Sequence, residues 1–85
     1  MTILYIVTEV EKLVDLQPES RVLGVYSSKA LAQESMVKYI LGVKEMAGSD
    51  MSWSQEVTEQ GLTLTDTQGC NYTFNIVCRN LDEAL

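Results

Sequence analysis

The chain has 85 residues, 46% hydrophobic and 21% charged, and its six basic and twelve acidic side chains leave a net charge of −6. That length leaves no room for a second core, so residues 1–85 read as a single domain, and the apolar fraction excludes a disordered chain. The excess of negative charge opposes direct binding to nucleic-acid phosphates or anionic membranes; it suits a basic protein partner and also serves solubility.

Residues 3–10, Ile-Leu-Tyr-Ile-Val-Thr-Glu-Val, are β-branched, aromatic and apolar on both alternating sets, which predicts a central strand. Residues 11–20 carry Asp15, Gln17, Pro18 and Ser20 and predict a loop, the connection of a long hairpin, although Leu13, Val14 and Leu16 leave a helical turn over residues 9–17 open. Arg21 to Tyr26 resumes strand character, with Gly24 marking a bulge or a close backbone approach.

Ser27 or Ser28 can cap a helix running from Lys29 to Met46. Ala32, Met36, Tyr39, Val43 and Ala47 recur at spacings of three and four and predict the stripe that faces the sheet, with Gly48-Ser49-Asp50 as the stop. Ala30, Val37 and Leu41 lie roughly opposite and form a candidate oligomer contact.

From Met51 the period returns to two, with Met51, Trp53 and Val57 on one set, and Trp53 is read as a core residue. Gln60-Gly61 is a predicted turn, Leu62 to Thr65 a fourth strand and Asp66 to Gly69 a second turn. Tyr72, Phe74, Ile76 and Cys78 then alternate with Thr73, Asn75, Val77 and Arg79 in a fifth strand, ahead of a tail from Asn80 to Leu85. The expected architecture is therefore α+β, in the order β-β-α-β-β-β, a mainly antiparallel sheet with one helix packed on one face.

The chain has no histidine, which removes Ser-His and Cys-His pairs, and its five glycines are dispersed, so no phosphate-cradling loop forms. No compact Asp-x-Asp-x-Asp loop gathers carboxylates for a cation. The expectation is a non-enzyme with no catalytic residue, no metal site and no cofactor. Cys70, in a turn with no cation beside it in sequence, is read as an inert thiol, and Cys78 as a small inward-facing core residue. With no C-x-x-C pair, no basic leader before the apolar start and no run of about 20 apolar residues, reduced thiols and a cytoplasmic chain are expected.

Between Lys44 and Arg79 there is no basic residue, whereas Glu45, Asp50, Glu56, Glu59 and Asp66 are acidic, which makes these five the candidate partner-binding residues. The outward set of the last three strands, including Ser54, Thr63, Thr65 and Thr73, is hydroxyl-rich, and the apolar character of both faces of the first strand suggests that the far side of the sheet is partly covered, with a second copy as the candidate cover.

The segments Tyr5-Ile6-Val7-Thr8-Glu9-Val10 and Gly24-Val25-Tyr26-Ser27-Ser28-Lys29-Ala30-Leu31-Ala32 resemble pieces of small phage- or prophage-encoded α+β proteins, some of them anti-CRISPR proteins. The resemblance implies an inhibitor that acts in the host-cell cytoplasm by occupying the basic nucleic-acid-binding surface of a defence complex. The alternative is a homodimer that sequesters a small molecule, such as a signalling nucleotide, between its copies.

Overall fold

The computed structural model describes residues 2–48, 51–58 and 61–80. Five strands and one helix follow in the order β1 (Ile3–Lys12), β2 (Glu19–Tyr26), α1 (Lys29–Ala47), β3 (Trp53–Val57), β4 (Gly61–Asp66) and β5 (Asn71–Asn80). All neighbours pair antiparallel in the spatial order β2-β1-β5-β4-β3, so β1 and β5 are central and β2 and β3 are the edges. This is the α+β domain the residue pattern predicts. Three connections are hairpins, and α1 makes the crossing from one edge of the sheet to the other.

The first hairpin resolves the ambiguity over residues 9–17 in favour of strand. β1 continues through Lys12, pairing Glu11 with Glu19, and only Leu13 to Pro18 turn, with Leu16 N–H bonded to Leu13 C=O at 3.2 Å and Asp15 at φ 64°. Cross-strand pairing satisfies the backbone of residues 9–12 more fully than one isolated helical turn would. In β2 the register shifts between Val7 and Thr8: Gly24 pairs with Val7 and Val22 with Thr8, which leaves Leu23 as the extra residue. The Tyr26 ring folds over Gly24, and a Cβ there would lie 2.6 Å from the phenol oxygen. The bulge has a second effect. Val22 and Val25 stand three apart, which in a regular strand points them to opposite faces, yet their partners Thr8 and Ile6 place them on the same one.

Ser28 caps α1, its hydroxyl accepting from Leu31 N–H at 3.4 Å, and Gly48 closes it at φ 89°. The buried residues of α1 are Ala32 and Ile40, and Met36 and Val43 pack on the same cluster. The predicted stripe therefore needs a correction. Ala32, Met36 and Val43 face the sheet as expected, but Tyr39 and Ala47 are exposed and Ile40 takes the central place. The reason is that the Tyr39 hydroxyl swings outward to donate to Leu23 C=O at 3.2 Å, which a core position would not allow. Ile40, Leu64 and Phe74 form the centre of the core, surrounded by Leu23, Leu62, Trp53 and Tyr72, with Trp53 and Tyr72 edge to face at 5.8 Å. Trp53 is a core-packing side chain as read, whereas Val57, in the same alternation, is 71% exposed at the sheet edge.

The helix covers only one side of the sheet. Leu64, Phe74, Val7 and Glu9 belong to the covered side; Leu4, Ile6, Thr8, Val10, Val22, Val25, Thr63, Thr73 and Val77 alternate with them and form the other side, over which no described element packs. No helix is long and apolar enough to cross a membrane among the described residues.

Candidate functional site

Of the five carboxylates singled out from the chain order, the three among the described residues, Glu45, Glu56 and Asp66, do not converge. Asp50 and Glu59 lie outside the described residues. Glu56 pairs with Thr63 and points to the open side of the sheet, while Asp66 pairs with Trp53 on the helix side and Glu45 is on the last turns of α1, so the sheet itself separates Glu56 from the other two. Asp66 is also engaged: its Oδ1 accepts from Gln68 N–H and Cys70 N–H, both at 2.9 Å, and holds the β4–β5 turn in which Gly69 adopts φ 92°. Cys70 lies in the predicted turn and is buried, its backbone N–H held by Asp66, whereas Cys78, expected in the core, is exposed because it lies near the end of β5, beside a cleft along α1. Ala30, Val37 and Leu41 are exposed, as the strip reading expects, although Glu34, one turn after Ala30, borders them and pairs with Lys38 at 3.8 Å.

A different acidic group is assembled at the β1–β2 end of the covered side, beyond the reach of α1. Glu9 and Glu11 stand two apart in β1 and so point the same way. Glu9 is 2% exposed and is held by Arg21, whose Nε and Nη2 both reach its Oε1 at 2.8 Å. Glu11 is directly opposite Glu19, and among the described residues neither carboxylate has an ion-pair partner. Like charges facing each other across an antiparallel pair are destabilising. Beside them the hairpin loop encloses a recess of about 250 Å³ lined by Glu11, Leu13, Leu16, Gln17, Pro18 and Glu19. Apolar walls with two carboxylates beside them have the chemistry to take a long basic side chain, whose methylene stem would lie against Leu13, Leu16 and Pro18 and whose cationic head would sit between Glu11 and Glu19.

Tyr72 registers this field from the next strand, since it pairs with Glu11. Burial raises its pKa above 10, and the negative charges of Cys70, Glu11, Asp66 and Glu9 add to the rise. A phenol whose folded pKa exceeds its unfolded value contributes stability that is fully present below pH 10 and is lost as pH climbs through the folded value. Spectrophotometric titration of tyrosinate should accordingly show Tyr72 ionising above 10, and Glu11→Gln should move it back toward 10 by removing one of those charges.

Glu11, Lys12 and Glu19 fall in the loop predicted over residues 11–20, so the pairing that builds the socket is not part of the predicted hairpin. The signal was the Glu9/Glu11 alternation continuing the period of β1, together with a Pro18-containing turn short enough to bring Glu19 back against it.

A second concavity, about 480 Å³, lies between the first turns of α1 and the opposite end of the sheet and is lined by Tyr5, Lys29, Gln33, Met36, Val57, Thr58, Gly61, Ile76 and Cys78. Among the described residues no group of three or more His, Cys, Asp or Glu side chains is placed to hold a metal ion. Comparison with known proteins returns no matching family model, no matching curated protein and no matching solved structure.

Proposed function

We propose that the chain is a non-enzymatic binding protein that captures a basic protein surface, with the hairpin socket as its contact point. The observation that carries this reading is the Glu11–Glu19 pair, two carboxylates opposed in register, neither with an ion-pair partner among the described residues, beside an apolar recess. Such an arrangement weakens the free protein and is relieved when an arginine or lysine enters, so its energetic logic points to a partner. The net charge of −6 supports a partner of opposite sign and steers the encounter. The resemblance of residues 5–10 and 24–32 to small phage- or prophage-encoded α+β proteins, some of them inhibitors, supplies the finer proposal, that the basic surface is one a host complex uses for nucleic acid and that occupying it blocks that use.

The immobilised chain, exposed to nuclease-treated host extract, should retain a basic protein that added single-stranded nucleic acid displaces. Retention should fall at least about tenfold in Glu11→Gln/Glu19→Gln, on the scale of two charge-assisted contacts of about 1 kcal/mol each, and persist in Glu45→Gln/Glu56→Gln, which changes the net charge equally. If the second pair abolishes capture and the first does not, the socket is not the contact.

The cleft beside α1 favours one second reading, sequestration of a small amphipathic anion. Its volume falls in the range of small-molecule sites, and Lys29, Gln33 and Tyr5 supply polar contacts above Met36 and Ile76. Calorimetry with a nucleotide panel, repeated on Lys29→Gln, separates it from the first.

A further inference from the structure

We infer that two copies of the chain associate through the open faces of their sheets, leaving both hairpin sockets turned outward. The open face is apolar on β1, β2 and β5, where Leu4, Ile6, Val10 and Val77 are half-buried and Val22 and Val25 are 61% and 54% exposed. Toward β3 it changes to hydroxyls and amides, four of which satisfy one another: Thr63 and Thr73 share a hydrogen bond at 3.2 Å, and Thr65 donates to Asn71 Oδ1 at 2.8 Å. Polar groups paired within their own surface are desolvated at far less cost than unpaired ones.

Charge identifies the occupant as a second copy. Along the strands the open face carries only Lys12, Arg79 and Glu56, all exposed and all near its margins, whereas Glu9, Glu11, Glu19 and Asp66 project to the helix side. A chain of net charge −6 thus keeps one face nearly free of the repulsion that would hold identical molecules apart, and a basic partner would find a single carboxylate, Glu56 at its margin, to pair with. Area agrees. Five strands of 5 to 10 residues, at roughly 4.8 Å between strands and roughly 3.3 Å per residue, present about 600 Å² of plane, and the relief of the side chains brings a pair above about 1,200 Å², where specific stable interfaces begin. The core also gains from cover, because the fully buried apolar side chains among the described residues are few: Val7, Ala32, Leu64 and Phe74 have no exposed surface, with Ile40 and Cys70 next. A two-fold axis crossing the strands lays β1 and β2 of one copy on β1 and β2 of the other, apolar half on apolar half, at the spacing of about 10 Å that packed sheets adopt.

The helix strip competes poorly. Glu34 and its ion pair with Lys38 border Ala30, Val37 and Leu41, so covering the strip would desolvate charge.

Sedimentation equilibrium of the chain should return twice the mass of 9.5 kDa. Val22→Glu/Val25→Glu, at positions already more than half exposed, should halve that mass while the far-ultraviolet circular dichroism stays native, and Val37→Glu/Leu41→Glu should leave it doubled. A native chain that sediments as a monomer, a dimer that survives the first pair, or a dimer dissolved only by the second overturns the inference. Glu11→Gln/Glu19→Gln should remain dimeric, so loss of partner capture and loss of the dimer are read separately.

Discussion

Replacing Phe74 by alanine is expected to cost about 3–5 kcal/mol, the range for removing a buried aromatic ring from a core that collapses only in part. Phe74 has no exposed surface, lies on a central strand, and packs with Leu64 and Ile40 at the point where α1 meets the sheet. Its neighbours across the ladders are Glu9 on one side and Leu62 on the other, both fixed by backbone pairing, so neither can slide into the space the ring leaves. A domain of 85 residues holds roughly 4–13 kcal/mol in total, and the loss therefore removes about a quarter of its stability at the least. Urea unfolding followed by Trp53 fluorescence measures it. With a slope near 1 kcal/mol per molar for so small a domain, the midpoint should fall by about 3–5 M. Phe74→Leu, which keeps most of the volume, should lose only about 1 kcal/mol, and equal losses in the two variants would place the ring outside the core. Leu64→Ala shares the same cavity walls, so the double variant should lose less than the two singles combined.

The elements were legible because each wrote its period into the chain. Tyr72 to Arg79 alternates without interruption, and the bulge at Leu23 is signalled by the adjacent glycine inside the strand-like run Arg21 to Tyr26. What local pattern could not supply is which turn of a periodic stripe lies over the centre of the sheet. Tyr39 and Ile40 are neighbours, and either continues the spacing from Met36. The choice was made by the Leu23 carbonyl, which the bulge turns toward the Tyr39 hydroxyl, a contact sixteen residues distant. The acidic residues illustrate the same limit. Nearness in the chain grouped Glu45, Glu56 and Asp66, but a sheet has two faces and its strands meet out of sequence order. Glu11 and Glu19 are separated by a turn and are direct neighbours in space.

The two faces of the sheet consequently carry different physical tasks. The covered side ends in a field of negative charge strong enough to help raise the pKa of Tyr72, and the open side is nearly devoid of charge. A bulge in β2 sustains that division, since it turns both Val22 and Val25 to the open side while Leu23 stays in the core. If the dimer forms as inferred, the two sockets become a bivalent array, and a partner with repeated basic sites would gain affinity from linkage without any further contact.

Gly61→Ala is the substitution expected to damage the sheet with the smallest change in mass. Gly61 opens β4 opposite Asn75, and a Cβ built on it would lie 1.7 Å from the Phe74 carbonyl oxygen and 2.8 Å from its carbonyl carbon. Those atoms are backbone of a central strand, held on their other side by β1, so relief requires β4 to move away from β5. That movement would loosen Leu62 and Leu64 at once, and a cost of about 3 kcal/mol follows, at the upper end of overpacking a close contact. Gly42→Ala supplies the opposite sign from the same chemical change. Gly42 lies inside α1 with nothing within 4 Å of the added methyl, and replacing glycine there should stabilise the protein by about 1 kcal/mol through helix propensity. Thermal unfolding of the two variants should then move in opposite directions from the native midpoint, by about 12–24 °C downward for Gly61→Ala and about 4–8 °C upward for Gly42→Ala. A neutral Gly61→Ala would mean that β4 does not approach β5 as closely as this register requires, and the placement of Leu64 beneath α1 would have to be redrawn with it.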